Sequence, residues 1–337
     1  MRDAEADILR RIDRRIGVPG IAGLLAERLP PTDLQSLLLA VSRRRAARTR
    51  PAEVLQRYER DRFVRPSAID PGALLALEQS ARQHLPGGFE VLALSPVCPL
   101  GSVAALTAVE QNSVIATTRG TEVVSDPTNV LALECALRRH ALLAAERGSR
   151  QRVRLAATHR VVRAQVWDDP AFSQHFALLG LCTAGRDEGA FGFEGDALVE
   201  HLRFYGRLLG SLADRGLEPG TLRIGVTPID GARAADLVRT VIEPLAAEFP
   251  DATFAIDLER ERALDYYRAA CLRITIQSAS GEVLELADGG FTDWTQQLLG
   301  NRKERLLISG IGLERLAAAL DETANDAPSP PRVRPQA

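Results

Sequence analysis

Two glycines and an arginine near the end of the chain set out the first chemistry. Leu306 to Ile308 is a β-type run that leads into Gly310-Ile311-Gly312 and then a helical Leu-Glu-Arg-Leu-Ala-Ala-Ala-Leu. Glycine lets a ligand approach the backbone at such a strand-to-helix junction, and Arg315 just beyond it offers phosphate oxygens a planar fork of donors. Upstream lie Arg262-Ala263-Leu264-Asp265-Tyr266-Tyr267 and Gly289-Gly290-Phe291-Thr292-Asp293, on either side of a hairpin. The runs 271–277 and 282–287 read as its strands, with Ser278, Ser280 and Gly281 between them. These residue types suit an anion-binding site, and they equally suit a hairpin with surface arginines and core tyrosines. Amine chemistry is poorly provided for. Lys303 is the only lysine, which argues against a Schiff base or a phosphate-loop lysine.

The elements that must position these groups belong to an ordinary globular chain. Its 337 residues, 45% hydrophobic and 26% charged, can hold one large domain with an extension, and the formal charge of −2 gives no general attraction to nucleic acid or anionic membrane. Cys98, Cys135, Cys182 and Cys271 are scattered without a CxxC pair, the usage of reduced thiols, and no metal site is expected from them. No apolar run is long enough to span a bilayer, and Asp3, Glu5, Asp7 and Asp13 argue against a transit peptide. The expected compartment is the cytoplasm.

Residues 1–65 read as a helical N-terminal extension. Ile8, Ile12 and Ile16 recur at helical spacing, and the Leu34 to Ala47 run ends in Arg43-Arg44-Arg45, cations that complement a helix C-terminus or simply face solvent. A helix is expected from Asp70 to His84, then a strand from Phe89 to Leu94 and Pro96. Val123-Val124-Ser125-Asp126-Pro127-Thr128 precedes a helical stretch from Asn129 to Glu146, which Thr128 is placed to cap. Two β runs, 152–167 and 173–183, follow. On the first, Arg163 and Gln165 project to the same face. A helix over 193–212, strands at 222–226 and 254–258 and a helix over 232–249 complete the pattern. The Pro-rich end, 321–337, is expected to be disordered.

Taken in order, these segments resemble the catalytic core of the histidyl-tRNA synthetase family, a group of class II synthetases. The family carries Arg-Gly-Leu-Asp-Tyr-Tyr, Gly-Gly-Arg-Tyr-Asp and Gly-x-Gly-x-Glu-Arg segments, and here Ala263 replaces a glycine and Phe291-Thr292 replace Arg-Tyr. The resemblance implies an α+β fold, a class II synthetase-like antiparallel sheet flanked by helices. It covers 66–320, with a small insertion at about 190–260. It also implies roles: catalytic arginines at Arg163, Arg262 and Arg315; ATP held by Arg163, Gln165, Phe176 and Arg315; substrate held by Asp126, Thr128, Tyr266, Tyr267, Gly289 and Gly290. Asp126 and Thr128 match the acid and threonine that meet the amino group of the amino acid. ATP and magnesium are the implied cofactors, and a homodimer through the motif 1-like helix from Asp70 to His84 and the strand from Phe89 to Leu94 is the implied assembly.

Departures from the family pattern redirect the functional expectation. Its histidine-contacting glutamine and glutamate fall on Leu178 and Cys182, which removes the hydrogen bonds that would fix an imidazole. A loop arginine has no counterpart between Val166 and His175, and too few residues follow the last motif for an anticodon-binding domain. The expectation is therefore a paralogue that does not charge tRNA. It would bind a small-molecule ligand, an amino acid or nucleotide, and work like the regulatory subunit that partners a short ATP phosphoribosyltransferase in histidine biosynthesis. The alternative is a ligase that activates a carboxylic acid with ATP for a non-tRNA acceptor.

Overall fold

The computed structural model describes residues 2–107, 109–164, 174–213, 222–229, 234–277 and 283–324. Four helices open the chain, α1 (Arg2–Ile16), α2 (Ile21–Glu27), α3 (Pro31–Ala46) and α4 (Pro51–Arg60). From Glu5 to Arg60 no residue in them is fully buried. Ile8, Ile16, Val41, Val54 and Leu55 all stand exposed.

The helix expected at 70–84 is α5 (Pro71–His84). Asp70 caps it by accepting from the Ala73 N–H at 2.8 Å, proline occupies the first turn, and Leu77 and Ala81 turn to the core. The strand expected after it shortens to β1 (Glu90–Val91). Next come β2 (Val97–Pro99), α6 (Ser102–Leu106) and β3 (Thr121–Val123), with β2 and β3 forming a separate two-stranded sheet. The stretch from Asn129 to Glu146 is α7 (Pro127–Ala145). Its cap is Asp126, not Thr128. The Asp126 carboxylate accepts from the Thr128 N–H at 2.9 Å and from the Thr128 hydroxyl at 2.7 Å, because a β-region residue just before Pro127 aims its side chain at the free N–H groups of the first turn.

The remaining elements are β4 (Val153–Val162), β5 (His175–Arg186), α8 (Gly192–Gly210), β6 (Leu222–Pro228), α9 (Ala234–Leu237), α10 (Glu243–Glu248), β7 (Thr253–Ile256), β8 (Arg268–Gln277), β9 (Val283–Thr292), α11 (Trp294–Leu299), β10 (Glu304–Gly312) and α12 (Leu313–Ala324). A π turn at Val238–Ile242 joins α9 to α10. Among the described residues, eight strands form one sheet in the order β1-β4-β5-β10-β9-β8-β6-β7. Its six central strands pair antiparallel, and the outermost strands β1 and β7 pair parallel to β4 and β6. The segment 190–260, read as an insertion, thus supplies β6 and β7 to this sheet. The last helix continues to Ala324, past the 320 boundary from which disorder was expected, and 325–337 lie outside the described residues.

Both faces of the sheet are covered. The helices α5, α8 and α12 pack on one face, and α7 and α11 on the other. Central β5 is buried from Ala177 to Gly185 without alternation, as a strand sandwiched between layers must be. On the second face Arg139 of α7 and Glu304 of β10, both fully buried, form a two-bond ion pair at 2.8 and 3.0 Å. That pair ties the helix begun by Asp126 to the strand that carries Gly310. Among the described residues, no helix is long and apolar enough to cross a membrane.

Candidate ligand-binding site

The face under α7 presents a row that begins with small residues and runs across the sheet. Register aligns Ala157, Gly180, Gly310, Asp288, Arg273 and Gly225 on adjacent strands. A Cβ on Gly180 would come within 2.9 Å of Pro127 Cγ and 3.1 Å of Thr128 Cγ2. The first turn of α7 therefore sits directly on that glycine, and no other residue fits. One row along, a Cβ on Gly290 would lie 2.5 Å from Tyr267 Cδ1, so the tyrosine ring rests on the strand. Gly289 faces the opposite way, against Ser309, beneath the buried His201 and Tyr205 that hydrogen-bond the Ser309 hydroxyl.

Around this row the structure gathers several residues singled out from the sequence. Arg163 leaves the end of β4, donates from Nε to the Ser125 carbonyl at 3.1 Å and approaches Asp126 at 3.4 Å. Its guanidinium lies 5.1 Å from the centre of the Phe176 ring. Tyr266 meets Tyr267 and Trp294 edge to face. Burial pushes both tyrosine hydroxyls well above their usual titration range. The carboxylates of Asp126 and Asp288 push Tyr266 further in the same direction, as does Asp288 for Tyr267. Arg315 is exposed beyond Gly312. A Cβ on Gly312 would meet its Cβ at 3.7 Å, so its stem rises on the same face as Leu178 and Gly310. Arg315 Nη1 donates to the Glu285 carbonyl at 2.8 Å.

Gln165 lies outside the described residues, and one described residue stands apart. Arg262 is exposed in the turn before β8, and what it gives the site is its carbonyl, which accepts from Arg260 Nε at 3.0 Å. The arginine that enters the face is Arg260, 94% buried. It donates to the Leu272 carbonyl at 3.0 Å and to both oxygens of Asp288 at 2.9 and 3.1 Å. Sequence reasoning missed this pair. The signal was a second arginine two residues before Arg262 and an aspartate directly before Gly289. Between them, Ala263 takes φ +60°, the left-handed conformation that glycine serves without strain.

Leu178 and Cys182 are buried on this face, as the sequence register required. The Cys182 thiol donates to the Thr128 carbonyl at 3.7 Å, and burial raises it well above the ordinary thiol range. Neither side chain offers an imidazole a strong hydrogen bond. Among the described residues no group of three or more His, Cys, Asp or Glu side chains is placed to hold a metal ion.

No protein-family model matches the sequence, and no curated protein matches it. Solved structures do match in backbone. The histidyl-tRNA synthetase of S. aureus superposes with a TM-score of 0.55 at 14% identity, over 77% of this chain and 69% of that one. An ATP phosphoribosyltransferase regulatory subunit/histidyl-tRNA synthetase from Bacillus halodurans gives 0.54 at 13% identity, over 77% and 82%. A histidine–tRNA ligase subunit from Alicyclobacillus acidocaldarius gives 0.54 at 14%, over 77% and 98%. The fold is that of a class II synthetase core. Within it, the row through Gly180 and Gly310, the first turn of α7 and the tyrosine turn before β8 enclose the candidate site.

Proposed function

We propose that this chain is a histidyl-tRNA synthetase-like paralogue that binds an amino-acid ligand and acts as a regulatory protein of the ATP phosphoribosyltransferase regulatory subunit type, without charging tRNA. The observation that carries this reading is the use made of the arginines. Arg163 is spent on the Ser125 carbonyl and Asp126 and covers Phe176, where adenine would stack. Arg262 stands in an exposed turn, and Arg260 is committed to Asp288. What stays open is an end suited to an amine: a half-exposed carboxylate at Asp126, oriented by Thr128, beside two tyrosines.

The proposed assembly is a homodimer. Beside edge strand β1 a shallow groove of about 360 Å³ is lined by Leu92, Leu94, Val130, Leu133 and Leu137. Leu137 is 65% exposed there, a burial-competent surface next to what is the outermost strand of the sheet among the described residues. A short ATP phosphoribosyltransferase is the proposed protein partner.

One observation favours a second reading, an ATP-dependent ligase that forms an acyl-adenylate. Arg315 rises on the site face beyond Gly312 and can meet phosphate there. ATP with magnesium would supply the leaving pyrophosphate, and Arg163 would have to release Asp126 to reach the α-phosphate. ATP–pyrophosphate exchange across a full amino-acid panel separates the two. The regulatory reading expects ligand binding without exchange. Exchange that is lost in Arg163→Ala and Arg315→Ala establishes the ligase instead.

A further inference from the structure

One carboxylate on the site face, the partner of Arg260, is given no ligand by either reading. Asp288 accepts from Arg260 at both oxygens and from the Gly289 N–H at 2.7 Å on Oδ1, which leaves Oδ2 with a single bond. Its side chain is 37% exposed, although the guanidinium that holds it is 4% exposed. It is thus a fixed carboxylate with acceptor capacity turned outward. Its register partner is Gly310. A Cβ on Gly310 would meet nothing nearer than the Leu179 carbonyl at 3.5 Å and the Leu178 side chain at 3.6 Å, ordinary contact distances, and Gly310 is itself partly exposed, so among the described residues this stretch of sheet keeps an open side.

The open floor has an acid at each end. On one side Pro127 and Thr128 cover Gly180, with Asp126 at the helix cap. On the other stands Asp288, two strands from Gly180, a separation of about 10 Å between backbones. Tyr267 is only 5% exposed, yet its hydroxyl and that of Tyr266 have no hydrogen-bond partner among the described residues. Neither hydroxyl is sealed off from the outside of the fold, so a ligand can reach and complete both.

We propose that the ligand carries two donor groups, an amine set on Asp126 and a second N–H or O–H on its side chain set on Asp288, with its body lying over Gly310. The class is an amino acid with a polar or cationic donor side chain. This rests on reading the face as an amino-acid site. Apolar side chains are rejected because they would strip water from the Asp288 oxygen and return no hydrogen bond.

The test is isothermal titration of the full chain with single amino acids: lysine, ornithine, arginine, histidine, glutamine and serine against leucine, valine, methionine and phenylalanine. The tightest ligand is expected from the first group, at least tenfold ahead of the second. Asp288→Asn is expected to weaken it at least tenfold. Because that change also disturbs Arg260, Gly310→Ala serves beside it. Its methyl fits the folded chain but occupies the floor, and it too should cost tenfold or more. An apolar amino acid binding best, or binding that needs Asp126 but ignores both Asp288→Asn and Gly310→Ala, overturns the assignment of Asp288 and leaves the amino-acid site standing. Binding of no amino acid at all overturns both.

Discussion

Replacing Glu304 by glutamine tests how the candidate site is held. Glu304 and Arg139 are both fully buried, and two hydrogen bonds of 2.8 and 3.0 Å join them. Arg139 also donates to the carbonyls of Ser149 and Gln151, so the guanidinium is nearly saturated. Glu304→Gln is almost isosteric, but it removes the one formal negative charge that the described residues place against that guanidinium and sets an amide N–H against it. Breaking one side of a buried ion pair typically costs about 3–5 kcal/mol, a large share of the roughly 5–15 kcal/mol that holds a domain together. With a urea dependence of about 3 kcal/mol per molar, the midpoint should fall by about 1–2 M. Arg139→Met combined with Glu304→Leu removes both charges, and it should recover at least half of the loss. Urea melts followed by circular dichroism give these numbers. A single-variant loss below about 1 kcal/mol, or a double variant worse than the sum of the singles, would refute the reasoning.

Three further outcomes follow from particular residues. His201 is buried against Thr183 and Ser309, and burial, aided by Arg154, depresses its pKa to about 3. Its unfolded form binds a proton near 6.5 and its folded form does not, so its contribution to stability is full above about 6.5 and is lost progressively as pH falls toward 3. His201→Asn should flatten that part of the stability profile, and equal slopes for the two proteins between pH 6 and 4 would contradict this. Ala263→Gly relieves a left-handed alanine and should raise stability by about 0.5–1 kcal/mol after the entropy of the new glycine is subtracted, read from the shift in Tm. A drop in Tm would show that the turn is not strained. Leu137→Glu places a charge in the groove beside β1, and sedimentation should show dimers for the native chain and monomers for the variant. Monomers for both would remove the proposed interface.

Local sequence made much of this molecule legible. Asp70 with Pro71 marked the start of α5, and the 271–277 and 282–287 runs marked the β8–β9 hairpin. Period-two spacing put Leu178 and Cys182 on one face of β5. What escaped was whatever depends on partners distant in the chain. The placing of Gly310 between Gly180 and Asp288 comes from pairing of β10 with both β5 and β9, and no local pattern encodes it. Asp126 replaced Thr128 as cap because Pro127 fixes the first turn and turns the preceding carboxylate inward. Arg260 rather than Arg262 entered the face because Asp288 and two carbonyls await it there. The parallel edges at β1 and β7 likewise require crossovers through whole helices, invisible to strand-by-strand reading.

The most direct measurement is a crystal structure of the full chain with its tightest-binding amino acid. The expected density lies over Gly310, with the ligand amine about 3 Å from the Asp126 carboxylate and within reach of the Tyr266 hydroxyl. A ligand seated away from the first turn of α7, with Asp126 still bonded only to Thr128 and Arg163, would contradict the assignment of this face as the binding site.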